Sequence, residues 1–138
     1  MDLTKLDTSS AADEGADLQL LNPVDDTVLR DEKTGEPVSI QLLGSDSKEF
    51  MRISHKLQDK RLQKRFTRGK LKMSAAEIEA DALDLLVACT KGWKHVRIGQ
   101  EVLPFNEENV RMVYNRFPWI KEQVDSFVND RASFLGES

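Results

Sequence analysis

The chain has 138 residues, enough for one domain with a single core and too few for two ordinary ones. Hydrophobic residues make up 39% of it and charged residues 32%, so the sequence predicts a soluble protein with part of the chain outside any core. No apolar run approaches the roughly 18 to 20 residues needed to span a bilayer. The acidic start MDLTKLDTSSAADEGAD is unlike a secretory signal, and the one cysteine and two histidines offer neither an internal disulfide nor zinc-ligand spacing, so a reducing cytoplasm is expected.

The net charge of −4 hides an asymmetry. Residues 1–51 carry 4 Lys+Arg against 12 Asp+Glu, residues 52–72 carry 9 against 1, and residues 73–138 carry 7 against 11. A basic segment therefore sits between two acidic ones.

Residues 1–16 have no apolar period and read as a flexible acidic tail, followed by a single domain over 17–138. Around DEKTGEP, Val38, Ile40 and Leu42 alternate with polar residues, which predicts a β-hairpin over 18–43 with Gly35 in its turn. Pro37 lacks an N–H, which suits the start or outer edge of the second strand and argues against a central strand of a large sheet, so a small sheet is expected.

Four helices are then expected. The first runs over about 46–68, with Ser45 or Asp46 as cap, an apolar row of Phe50, Ile53, Leu57, Leu62 and Phe66, and an end near Gly69. The second, about 74–91, opens on the capping box Ser74-Ala-Ala-Glu77, buries Ile78, Ala82, Leu85, Leu86 and Cys89, and stops at Gly92. Residues 93–105 contain Gly99 and Pro104 and form a loop or minimal ribbon. Asn106 caps a third helix over 107–117, with Val110, Val113, Tyr114 and Phe117 on one stripe. Pro118 opens a fourth, 118–135, with Ile120, Val124, Phe127 and Phe134 along one side. The fold class expected is mainly α, a compact bundle of about four helices with a small N-terminal hairpin.

Material for catalysis is poor: RGKLKMS lacks the upstream glycine of a phosphate loop, and there is no HExxH or CxxC. Cys89 falls on an apolar stripe, where a free thiol behaves as a small hydrophobe, and His55 and His95 have no acidic partner close in sequence. No enzyme, no cofactor and no metal is expected. Lys56, Lys60, Lys64 and Arg68 form an i, i+4 row broadened by Arg61, Arg65 and Lys72. Such a row suits an acidic protein partner or a solvated face; nucleic acid is disfavoured by the acidic net charge and by the lack of interleaved aromatic residues beyond Phe66. Trp119 falls off the stripe of its helix, and a large aromatic there serves either as core or as an interface anchor.

From Gly92 onward the chain resembles the C-terminal region of tail assembly chaperones from long-tailed phages. Gly92-Trp93, Leu103-Pro104-Phe105, Glu108-Asn109-Val110 and Phe134 match that family's Gly-Trp turn, Leu-Pro-Phe loop end, "ENV" helix and final Phe-containing helix in order, over about a third of the chain. The resemblance implies a non-catalytic protein of the host cytoplasm, absent from the mature virion. It would bind the tape measure protein, keep it soluble and help recruit tail tube protein. It implies no membrane partner, and self-association is left open. The rival readings are a nucleic-acid-binding phage protein using residues 56–72 and a permanent minor tail protein.

Overall fold

The computed structural model describes residues 2–68 and 74–135, and the side chains of all of these except 64–68. After a 3₁₀ turn over Leu3–Leu6, the elements are α1 (Thr8–Glu14), β1 (Ala16–Gln19), β2 (Ser39–Leu42), α2 (Lys48–Arg68), α3 (Ala75–Cys89), β3 (Thr90–Lys94), β4 (Arg97–Ile98), β5 (Glu101–Val102), α4 (Glu107–Arg116), α5 (Pro118–Val128) and α6 (Ala132–Leu135). The expected four-helix bundle is therefore corrected to a mixed α/β fold: among the described residues six helices accompany a three-stranded antiparallel sheet, ordered β1-β2-β3, and the small β4-β5 ribbon.

The overlooked element is β3. Its sequence, Thr-Lys-Gly-Trp-Lys, has no alternating apolar pattern, and Gly92 reads locally as a helix stop, yet Gly92 pairs with Gln41 inside the sheet. The helix ends at Cys89 instead, and long-range pairing with β2 overrides the local signal. β2 is thus the central strand, and Pro37 causes no conflict because it precedes the strand, in an isolated bridge to Arg30. Between β1 and β2 the chain reverses twice, at 22–27 and 31–36, where the sequence suggested one turn; Gly35 occupies the second at φ +76.

Ile40 and Leu42 enter the core while Gln41 between them stays exposed, the period of two that a half-covered sheet requires. They join Leu83, Leu86 and Cys89 of α3, Val110, Val113 and Tyr114 of α4, and Ile120, Val124 and Val128 of α5 in one apolar cluster. Each fully buried Val, Leu or Ile stabilises by roughly 1.5–3 kcal/mol relative to exposure, so this cluster dominates stability. Tyr114 is fully buried, and its hydroxyl lies 2.6 Å from Thr90 Oγ1, which itself donates to the Leu86 carbonyl at 2.7 Å. That chain of bonds satisfies both buried hydroxyls and ties α4 to the α3–β3 junction.

The covered face of α3 is rotated from the one expected. Leu83, Leu86, Val87 and Cys89 are buried with Asp81, whereas Ala82 is exposed and Ile78 is 52% exposed. Asp81 can be buried because Arg61 of α2 reaches it at 3.2 Å. The last expected helix breaks at Asn129, whose side-chain amide bonds the Asp125 carbonyl, and resumes as α6.

The segment 1–16 is corrected too. Asp7 accepts from the Ser10 N–H at 3.0 Å and starts α1, Ala12 is buried, and the Ala12 carbonyl accepts from Gly44 N–H. A Cβ on Gly44 would lie 2.8 Å from Ala12 Cβ and 3.0 Å from the Phe134 ring, so only glycine permits this approach. A short helix that docks through one alanine carries no large apolar period for sequence reading to find.

Candidate functional site

α2 begins on Ser47, which is fully buried and whose Oγ accepts from the Phe50 N–H at 3.1 Å; the Lys48 N–H donates to Asp13 of α1 at 2.8 Å. Ser47, rather than Ser45 or Asp46, is therefore the cap. Beyond this anchored start α2 packs along α3. Leu57 is buried, Phe50 and Ile53 are half-buried, and Leu62 is 50% exposed.

A groove of about 810 Å³ opens where α2 faces α3, β3 and the start of α4. Its apolar lining comprises Ile53 and Leu57 from α2, Val87 and Ala88 from α3, Val110 from α4 and Phe105; Leu57, Val87 and Val110 are buried, so Ile53, Ala88 and Phe105 supply its accessible apolar surface. Phe105 is held there by Trp93. The rings meet edge to face with centroids 5.3 Å apart, Trp93 Nε1 donates to the Leu103 carbonyl at 3.0 Å, and Phe105 stays 42% exposed. Asn106 accepts from the Asn109 N–H at 2.8 Å to start α4, and Asn109 Nδ2 donates back to the Pro104 carbonyl at 2.8 Å. Gly92, Trp93, Leu103, Pro104, Phe105 and Asn106 thus form one unit beside the groove.

Two paired arginines lie on its rim: Arg52 with Glu49 at 2.6 Å, and Arg111 with Asp84 at 2.8 Å and Glu107 at 3.7 Å. Lys56, Lys60 and Lys91 also line it. Lys91 owes its place to an irregularity in the sheet: the register passes from Gly92 opposite Gln41 to Thr90 opposite Leu42, leaving Lys91 as the extra residue of a bulge.

The sequence-selected cations divide. Lys60 is in the groove, Arg61 is turned to Asp81, and Lys64, Arg65 and Arg68 belong to the last turns of α2, where only the backbone is described. Phe66 lies in the same turns; Gly69 and Lys72 fall outside the described residues. Trp119 is not brought to them. It is partly buried, meets Phe117 edge to face at 6.4 Å and lines a separate hollow of about 420 Å³ that shares no lining residue with the groove. Phe127 packs against the core and meets Phe134 edge to face at 5.2 Å, and Phe134 in turn lies against Gly44, a packing role for both. Ser74 Oγ accepts from the Glu77 N–H at 3.2 Å and caps α3.

Sequence reading missed the polar lock beside the smaller hollow, because its members come from far apart in the chain. Asp31 is 4% exposed and accepts from Arg97 Nε at 2.7 Å; that hydrogen bond holds its carboxyl down to about 2. His95, at φ +64, places Nε2 2.8 Å from Glu36 Oε2 and Nδ1 3.8 Å from Asp31. His55, by contrast, is exposed on α2. Cys89 is fully buried, and burial pushes its thiol up to about 12, so it is no nucleophile at neutral pH. Among the described residues no His, Cys, Asp and Glu cluster could hold a metal ion, and no helix is long and apolar enough to cross a membrane.

Comparison of the chain with protein-family models, with curated proteins and with solved structures gives no match.

Proposed function

We propose that this chain is a non-catalytic tail assembly chaperone of a long-tailed phage, which binds the tape measure protein in the host cytoplasm, keeps it soluble, helps recruit tail tube subunits and leaves before the virion is finished. The observation that carries this reading is the groove between α2 and α3–α4, with its floor of Ile53, Leu57, Val87 and Val110 ending on half-exposed Phe105. The stretch of α2 that lines it, from Glu49 to Gln63, is about 21 Å long, enough for some four turns of a bound helix. A helix laid into an apolar groove needs no chemistry, only reversible burial, and many such chains on one long partner gain occupancy through effective concentration. The order of the Gly-Trp, Leu-Pro-Phe and ENV features supports the same reading, and two of their residues, Phe105 and Val110, line the groove.

Co-expression tests it. The tape measure protein of the same phage should be soluble and co-purify only when this chain is present, and a tape measure protein equally insoluble with and without it would contradict the proposal. Exposed Lys56 and Lys60 favour nucleic acid as the second reading. Retention of duplex DNA at 150 mM salt would bring it forward, because phosphate contacts weaken steeply with salt.

A further inference from the structure

The charges around the groove do not cancel. Arg52 is paired with Glu49 and Arg111 with both Asp84 and Glu107, whereas Lys56, Lys60 and Lys91 make no ion pair among the described residues. Lys91 also acts through space on Glu49, which Arg52 already holds. In all the groove is lined by five cations, Arg52, Lys56, Lys60, Lys91 and Arg111, and four carboxylates, Glu49, Asp59, Asp84 and Glu107, so its lining carries one net positive charge and the three lysines are its cations outside ion pairs. Lys56 and Lys60 are one turn apart on α2, about 6 Å along its axis, and Lys91 is delivered from the sheet by its bulge. Three ammonium groups beside an apolar floor repel one another when the groove is empty and attract carboxylates when it is filled.

We infer that the groove is built for an amphipathic helix carrying an apolar stripe flanked by carboxylates, with two acids spaced i, i+4 to meet Lys56 and Lys60 and a third on its other flank to meet Lys91. This rests on the proposed chaperone reading and narrows it, by stating which segments of a long helical partner the groove selects. A helix laid along α2 has about 21 Å of groove to follow. Such a partner presents its apolar stripe to the floor, its acids to the rim and its polar back to solvent.

Binding of three designed 20-residue helices, followed by fluorescence anisotropy on the full chain, tests this directly. All share one leucine stripe, and the flanking positions are Glu, Gln or Lys. The Glu helix should bind at least tenfold more tightly than the Lys helix at 50 mM salt, with the Gln helix between them. That advantage should shrink severalfold by 300 mM salt as the exposed charges are screened. The triple variant Lys56→Glu, Lys60→Glu, Lys91→Glu should invert the order. The variant Lys5→Glu, Lys33→Glu, Lys94→Glu carries the same change in net charge on exposed lysines outside the groove and should retain the preference for Glu.

Equal binding of all three helices overturns the charge assignment while leaving the groove as a helix site. An inverted order in the control variant as well overturns it in favour of net charge alone. Displacement of the Glu helix by duplex DNA at 150 mM salt assigns the lysines to phosphate. Concentration-dependent sedimentation of the chain that the Glu helix reverses gives the groove to a second copy. Both of those results overturn the proposal. A tape measure protein that stays unbound while the Glu helix binds removes the chaperone reading and keeps this one, so the two fail separately.

Discussion

The sheet with α3–α5 and the helix α2 belong to one chain but are built on different terms. In the first region Ile40, Leu42, Leu86, Val113, Tyr114 and Val124 are buried together, and even the buried hydroxyls of Thr90 and Tyr114 are bonded to each other. In the second, a 21-residue helix is held at its start by Ser47 and Asp13 and part-way along by the ion pair of Arg61 with buried Asp81, with Leu57 as its buried apolar contact. A helix attached by these clasps and by Phe50 and Leu57 forms one wall of the groove, whose floor residues Val87 and Val110 belong to the core cluster itself. The contrast shows how a small domain keeps a groove without losing stability: the core closes beneath the groove, and the wall is added to it.

The same substitution in the two regions should separate them most widely. Leu86→Ala empties a core position and should cost about 2–5 kcal/mol, while Leu62→Ala, on a half-exposed residue of α2, should stay within about 0.5 kcal/mol. Urea denaturation of both variants checks this, and similar losses would mean that α2 is as much core as α3 is. Removing residues 2–14 should cost less, about 1–3 kcal/mol, through loss of the Ala12 packing and of the bonds to Gly44 and Lys48, and should lower the melting temperature by several degrees. An unchanged midpoint would show that α1 does not dock. Ser74→Ala removes the α3 cap and should cost about 1 kcal/mol, clearly below Leu86→Ala in the same titration.

The remaining prediction concerns sign instead of size. Arg97 lowers Asp31 from the ordinary 3.8 to about 2, so the carboxylate stabilises the fold at every pH above about 4, and that contribution is lost as pH falls through about 2. Wild type should therefore exceed Asp31→Asn in stability by a constant margin from pH 7 to about 4, and the margin should narrow in stronger acid. A margin that widened toward low pH would contradict the Arg97 pairing.

Local chemistry was legible in the sequence, and partnership across the chain was not. Ser74, Asn106 and Pro118 announce the starts of α3, α4 and α5 because capping and proline geometry act within three or four residues. β3 was hidden because a Lys-Gly-Trp-Lys strand is stabilised by its neighbour β2 and by nothing in its own pattern. The rotated face of α3 was hidden because Asp81 is buried by an arginine 20 positions earlier, so a charged residue occupies a core position that periodicity assigns to solvent. Of the α2 cations singled out in the sequence, Lys56 and Lys60 line the groove and Arg61 turns to Asp81, while Trp93 and Phe105 were legible as motif residues and not as neighbours of a groove. Lys91 could not be read in advance, since a bulge is set by the register of two strands, and Trp119, read as either core or interface anchor, lines the other hollow.

The central claim is that the groove beside α2 is where a partner helix lies, and backbone hydrogen exchange with and without a tape measure fragment tests it most directly. Binding in the groove should slow exchange along 49–63 of α2, around Thr90–Lys91 and over Phe105–Arg111, while β1 and the hollow lined by Trp119 keep their rates. Protection confined to the Trp119 side, with the amides of α2 exchanging as fast as in the free protein, would contradict it.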